Sequence, residues 1–155
     1  MTECDVTPWK HLLGEGTGHG ESGRSVSIAR RPGEKIRMFL ADTEAFRAHF
    51  GNVQSCDVIF LVESGGKRQL FFIELKGRSF EDCVPQLADT LMTVRKKLPA
   101  DCRSSTELKV VALAGGGTPG QKALRARAEF KRKTGQDLIE RRLPKKKTFD
   151  LRQLL

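Results

Sequence analysis

The feature that most restricts the fold of this chain is the pair Gly65-Gly66, set between two apolar runs, Val58–Val62 and Leu70–Leu75. Two adjacent glycines take up the positive φ angles of a two-residue hairpin loop without steric cost, and the flanking runs suit buried strands. With that loop, Ser64 pairs with Lys67 and Glu63 faces Arg68, an opposite-charge pair. Leu61 then faces Leu70, Ile59 faces Phe72, and Asp57 faces Glu74. Lys76 lies two residues beyond Glu74 and therefore points to the same side of the sheet. The register predicts Asp57, Glu74 and Lys76 together at one sheet end, beside apolar Ile59 and Phe72.

Two carboxylates and a lysine against an apolar face need a physical reason. Adjacent carboxylates repel, and burying either one unpaired costs several kcal/mol. A hard divalent cation removes the conflict. Mg²⁺ accepts carboxylate oxygens and keeps other positions for water and phosphate oxygens; Mn²⁺ suits the same donors. A neighbouring lysine can orient the attacking water and stabilise developing negative charge.

The tripeptide acid-x-Lys is weak evidence alone, because a chain of this composition yields one or two by chance. Three are present: Glu74-Leu75-Lys76, Glu107-Leu108-Lys109 and Glu129-Phe130-Lys131. Glu129 falls within a helical pattern, where residues two apart face different directions. Glu107 opens a strand with no acid-bearing hairpin partner. Only Glu74 ends a strand that sets an aspartate opposite it.

The remaining chain reads as one mixed domain. Residues 1–24 form a short helical start near Trp9–Leu13 and a glycine-rich loop, and residues 25–155 form the domain proper. Strands are expected at Ser25–Ala29 and Lys35–Ala41, joined by a turn at Arg31-Pro32-Gly33. Asp42-Thr43 can cap a helix through Phe50. The recurrence of Val84, Leu87, Leu91, Val94 and Leu98 marks the buried stripe of a helix over Asp82–Leu98, with Pro85 tolerated in its first turn. A strand at Leu108–Ala114, a helix at Pro119–Thr134 closed by Gly135, and a last strand at Leu138–Leu143 complete the pattern. This order predicts an α/β (α+β) fold with a mixed central sheet flanked by helices.

The formal charge of +9 is unevenly placed. Residues 121–147 hold eleven basic against three acidic side chains, a net +8, whereas the first 50 residues balance at seven of each. Such a field attracts polyanions, nucleic acid foremost, and Lys122, Arg125, Lys145, Lys146 and Lys147 are the candidate phosphate contacts. No apolar run approaches the ~20 residues of a membrane span, and the first residues lack a secretory pattern, so a cytoplasmic protein is expected. Cys4, Cys56, Cys83 and Cys102 include no C-x-x-C pair, which argues against structural zinc. No disulfide framework is indicated, and Cys56 and Cys83 read as reduced core residues.

Ser55-Cys56-Asp57 leading into an apolar strand, the hairpin, Phe71-Phe72-Ile73-Glu74-Leu75-Lys76-Gly77 and a helix bearing Gln86 together resemble the PD-(D/E)xK nuclease superfamily, over about residues 25–115. The resemblance implies a restriction-endonuclease-like αβββαβ core. It implies that Asp57 and Glu74 ligate Mg²⁺ or Mn²⁺, that Lys76 assists the water, and that Gln86 lies near the site, as a helical glutamine does in some branches. It also implies in-line hydrolysis leaving 3′-hydroxyl and 5′-phosphate ends. Cys56 stands where the motif's proline would be. The acid usually supplied by an early helix has three candidates here, Glu15, Glu21 and Asp42.

Three functions follow from this reading. The first is a metal-dependent phosphodiesterase, an endonuclease acting on nucleic acid with DNA favoured over RNA, and with loops, a second subunit in a homodimer or a partner protein supplying selectivity. The alternative is an inactive module of the same fold that holds nucleic acid or protein. A basic RNA-chaperone-like protein explains the charge and leaves the hairpin unexplained.

Overall fold

The computed structural model describes residues 9, 12–14, 16–21, 23–51, 54–76, 80–115 and 120–155. Its elements are β1 (Gly18–Glu21), β2 (Arg24–Ser27), β3 (Lys35–Leu40), α1 (Glu44–Phe50), β4 (Val58–Ser64), β5 (Lys67–Lys76), a 3₁₀ turn (Phe80–Cys83), α2 (Val84–Lys97), α3 (Ala100–Ser105), β6 (Thr106–Ala114), α4 (Gln121–Thr134), β7 (Leu138–Arg142), β8 (Thr148–Asp150) and a closing 3₁₀ turn (Leu151–Leu154). The class is mixed α+β. The central sheet runs β3-β4-β5-β6-β7, antiparallel across its first three strands and parallel across its last three.

The β4–β5 hairpin carries the expected register. Ser64 pairs with Lys67, Leu61 with Leu70 and Ile59 with Phe72 around Gly65 and Gly66, whose φ angles are 56° and 79°. Arg68 Nε lies 3.4 Å from Glu63, in the expected cross-strand ion pair. Thr43 caps α1 by accepting the Phe46 N–H, and Gly135 closes α4 in the left-handed conformation that favours glycine. In α2 the stripe Leu87, Leu91 and Val94 is fully buried.

Alternation on β5 divides the core into two layers. Leu70 and Phe72 point toward α1, α2 and α4, and pack with Phe46, Leu91 and Phe130. Phe71, Ile73 and Leu75 point the other way, onto Val26, Phe149 and Leu154. Each such fully buried side chain contributes roughly 1.5–3 kcal/mol.

That second layer differs from expectation. β2 leaves the central sheet and pairs with β1 and, in parallel, with β8. The turn at Pro32-Gly33 thus passes the chain between sheets rather than forming a hairpin. Gly18–Glu21, within the run read as loop, is strand because its backbone pairs with Arg24–Ser27. Leu138–Arg142 is not the last strand, since β8 follows it. α3 is a further departure; its six residues carry no amphipathic period long enough to be recognised. Cys102 is disulfide-bonded, which corrects the expectation of no disulfide, while Cys56 and Cys83 are free and buried. No helix among the described residues is long and apolar enough to cross a membrane.

Candidate metal centre

The site lies where β4 begins and β5 ends. Asp57 immediately precedes β4, and its N–H donates to the Ile73 carbonyl at 3.1 Å. A regular ladder would next present the Cys56 carbonyl to the Leu75 N–H. The chain turns away instead, and the Asp57 carboxylate takes that place, its Oδ2 accepting the Leu75 N–H at 2.7 Å. The turn is fixed by α2. The Cys56 N–H donates to Thr90 Oγ1 at 2.7 Å, and the same hydroxyl donates to the Gln86 carbonyl at 2.7 Å. Thr90 is fully buried, so this two-way hydrogen bond ties the strand entry to the helix without competition from water.

Glu74, only 2% exposed, lies on the same face as Phe72 and against Asp57. Its carboxyl is pushed up to about 9, first by burial and then by the hydrogen bond and negative charge of Asp57, with Lys76 opposing the rise. Lys76 Nζ sits 3.6 Å from Glu74 Oε2. The two acids and the lysine, gathered as the register predicts, line a cavity of about 250 Å³ together with Gln86. Gln86 Oε1 is buried and has no hydrogen-bond partner among the described residues.

Two buried carboxylates in contact require either a shared proton or a cation between them. The donors are hard oxygens, which suits Mg²⁺ or Mn²⁺ and disfavours softer ions. The orphaned Gln86 oxygen adds an acceptor for a water or amide on the same cavity wall. Asp57 and Glu74 fit a divalent ion of this kind. Among the described residues no group of three His, Cys, Asp or Glu side chains is placed to hold a metal.

The three early acids separate clearly. Asp42 lines the cavity, but Arg47 Nη1 holds its Oδ1 at 3.1 Å. Glu21 is exposed on β1, in the separate β1-β2-β8 sheet, and does not line the cavity. Glu15 lies outside the described residues. Arg47 and Ser55 also line the cavity, and nothing in the sequence pattern singles them out. Cys83, at the end of the 3₁₀ turn, borders the site as well; burial and then the Glu74 charge push its thiol up, and the same two causes act on Cys56.

The basic candidates are exposed. Lys122 and Arg125 occupy the first turns of α4, which starts beyond the end of β6 adjoining the Lys76 end of β5. Lys145, Lys146 and Lys147 form the turn from β7 into β8, where the Lys146 N–H donates to the Gly23 carbonyl at 2.8 Å. The decoy Glu107 is exposed and lies 3.8 Å from its own Lys109, distant along the sheet from Glu74.

No family model matches the chain, and no curated protein or solved structure matches it.

Proposed function

We propose that the chain is a nuclease of the PD-(D/E)xK type, using Mg²⁺ or Mn²⁺ held by Asp57 and Glu74 to hydrolyse phosphodiester bonds, with DNA as the preferred substrate. The observation that carries this reading is the contact of two buried carboxylates beside Lys76, at one end of a mixed sheet. The antiparallel β3-β4-β5 run followed by α2 and the parallel β6 supports a restriction-endonuclease-like βββαβ arrangement, with α1 inserted between β3 and β4 and α3 between α2 and β6.

When bound, the ion supplies Lewis-acid charge to the phosphate and its attacking water. Two protein carboxylates are an ordinary complement for Mg²⁺, which leaves its remaining positions to water and substrate. Lys76, its side chain one third exposed, reaches solvent from beside Glu74 and would orient the water while offsetting the negative charge that grows on the phosphoryl oxygens. Gln86 Oε1 would accept a hydrogen bond from that water. Attack would form one P–O bond and break the bond to the 3′ oxygen; the water's proton passes to solvent, and the leaving 3′ oxygen takes one up from solvent to become the hydroxyl. The positive side chains of α4 and of the Lys145–Lys147 turn contact backbone phosphates without reading sequence.

The binding-module reading draws on a separate observation: Asp42 is engaged by Arg47, leaving two acids rather than three at the centre among the described residues. Incubation with single- and double-stranded DNA and RNA, with Mg²⁺ or Mn²⁺, separates the two. Cleavage that Glu74→Ala and Lys76→Ala reduce by about 10²–10⁴ supports the nuclease. Binding without cleavage on every substrate and metal establishes the module.

A further inference from the structure

We infer that Arg47 is the substrate-phosphate ligand of this cavity, and that Asp42 is its orienting partner rather than a third metal ligand. The inference rests on the nuclease reading and names how the same site holds its substrate.

Arg47 stands one turn into α1, next to the buried anchor Phe46 that fixes this helix to the core. Its Nη1 is 3.1 Å from Asp42 Oδ1 and 3.5 Å from Ser55 Oγ, and all three residues line the cavity that contains Asp57, Glu74 and Lys76. These contacts use one end of the guanidinium. A guanidinium carries five N–H donors in a rigid fork. The rest of the fork has no acceptor among the described residues, although the side chain is only one third exposed. An arginine anchored at one nitrogen and open at the others suits a tetrahedral anion with paired oxygens.

Charge balance points the same way. Asp42, Asp57 and Glu74 against Lys76, Arg47 and one divalent ion leave a single positive charge, which a phosphodiester neutralises. Without Arg47 the occupied cavity is neutral and has no electrostatic preference for the substrate. The opposite assignment, Asp42 as metal ligand, requires breaking its pair with Arg47. It also requires moving a side chain that is 59% exposed toward carboxylates that are buried.

The test compares Arg47→Ala, Arg47→Lys, Asp42→Ala and Glu74→Ala in two titrations of the full chain. One measures Mn²⁺ binding. The other measures the affinity and salt dependence for a fluorescein-labelled DNA strand and its duplex in metal-free buffer, where nothing is cut. Arg47→Ala is expected to weaken DNA binding by about tenfold to a hundredfold and to lower the salt slope by about one. Arg47→Lys is expected to recover only part of the affinity, because an ammonium lacks the fork. Asp42→Ala is expected to weaken DNA binding in the same direction and to leave Mn²⁺ affinity at the parent value, whereas Glu74→Ala loses Mn²⁺. Loss of Mn²⁺ by Asp42→Ala, or an unchanged DNA affinity and salt slope in Arg47→Ala, overturns the inference. If the parent binds no Mn²⁺ the metal assignment fails, and the Arg47 arms still decide whether this residue holds phosphate. Melting curves for each variant separate a lost contact from a lost fold.

Discussion

Asp57 Oδ2 accepts the Leu75 N–H at 2.7 Å, so the aspartate at the entry to β4 completes the hydrogen bonding of β5 with its side chain. The same carboxylate lies against Glu74, so it has a structural role beside the metal-binding one proposed for it. The two roles are separable because an amide oxygen can do the first and not the second.

Asp57→Asn is expected to keep the Leu75 hydrogen bond and the fold while losing divalent-ion affinity. Asp57→Ala leaves a buried N–H without an acceptor and is expected to cost about 1–3 kcal/mol. Urea unfolding of both variants, alongside Mn²⁺ titration, checks this. Equal destabilisation by the two substitutions counts against the side-chain-to-backbone role.

The Glu74 carboxyl gives metal-free stability a definite pH dependence. Its folded value of about 9 lies above the ordinary 4.5, so between these limits the folded protein keeps a proton that the unfolded chain releases. Stability contributed by this group is therefore present at low pH and declines as pH rises from about 5 to about 9. Glu74→Gln is expected to flatten that part of the profile. Added Mg²⁺ or Mn²⁺ is expected to raise the melting temperature of the parent most at the alkaline end. Melting curves across this range test both statements, and a parent profile parallel to that of Glu74→Gln contradicts them.

Thr90 positions Asp57 through the Cys56 N–H. Thr90→Val preserves shape but removes the acceptor, and is expected to cost about 1–3 kcal/mol and to weaken divalent-ion binding as well. Thr90→Ser retains the hydroxyl and is expected to restore ion binding. A purely structural role would lower stability in Thr90→Val without moving the ion affinity.

Gln86 offers a buried oxygen with no partner among the described residues. Its replacement by alanine is expected to change stability by no more than about 0.5 kcal/mol and to reduce cleavage at least about tenfold. Denaturation and turnover measured on the same preparation distinguish this from a packing role, which would reverse the two magnitudes.

Much of the centre was legible in the sequence because it rests on a local rule. Gly65-Gly66 fixes a two-residue loop, and strand alternation then carries Asp57, Glu74 and Lys76 to one face with no long-range information. The stripe of α2 and the Thr43 and Gly135 caps are local in the same sense. The hairpin rule fell short at one point: it assigned Asp57 an opposed strand position, whereas the paired strand stops at Val58.

That stop is set by Thr90, 34 residues from Cys56 along the chain, and no local pattern connects them. The withdrawal of β2 into a second sheet depends on β8, where Thr148 lies 123 residues from its partner Ser25. A strand of four residues has no partner preference until another edge reaches it. No sequence pattern singles out Arg47, and Asp42 is in sequence one of three open candidates for the early acid. Only the packing of α1 beside the start of β4 brings them into the cavity with Glu74. The sequence by itself determined which acids meet across the hairpin. The tertiary structure decided how deeply they are buried and which cation faces them, since burial and charge proximity arise from segments that meet only in the folded chain.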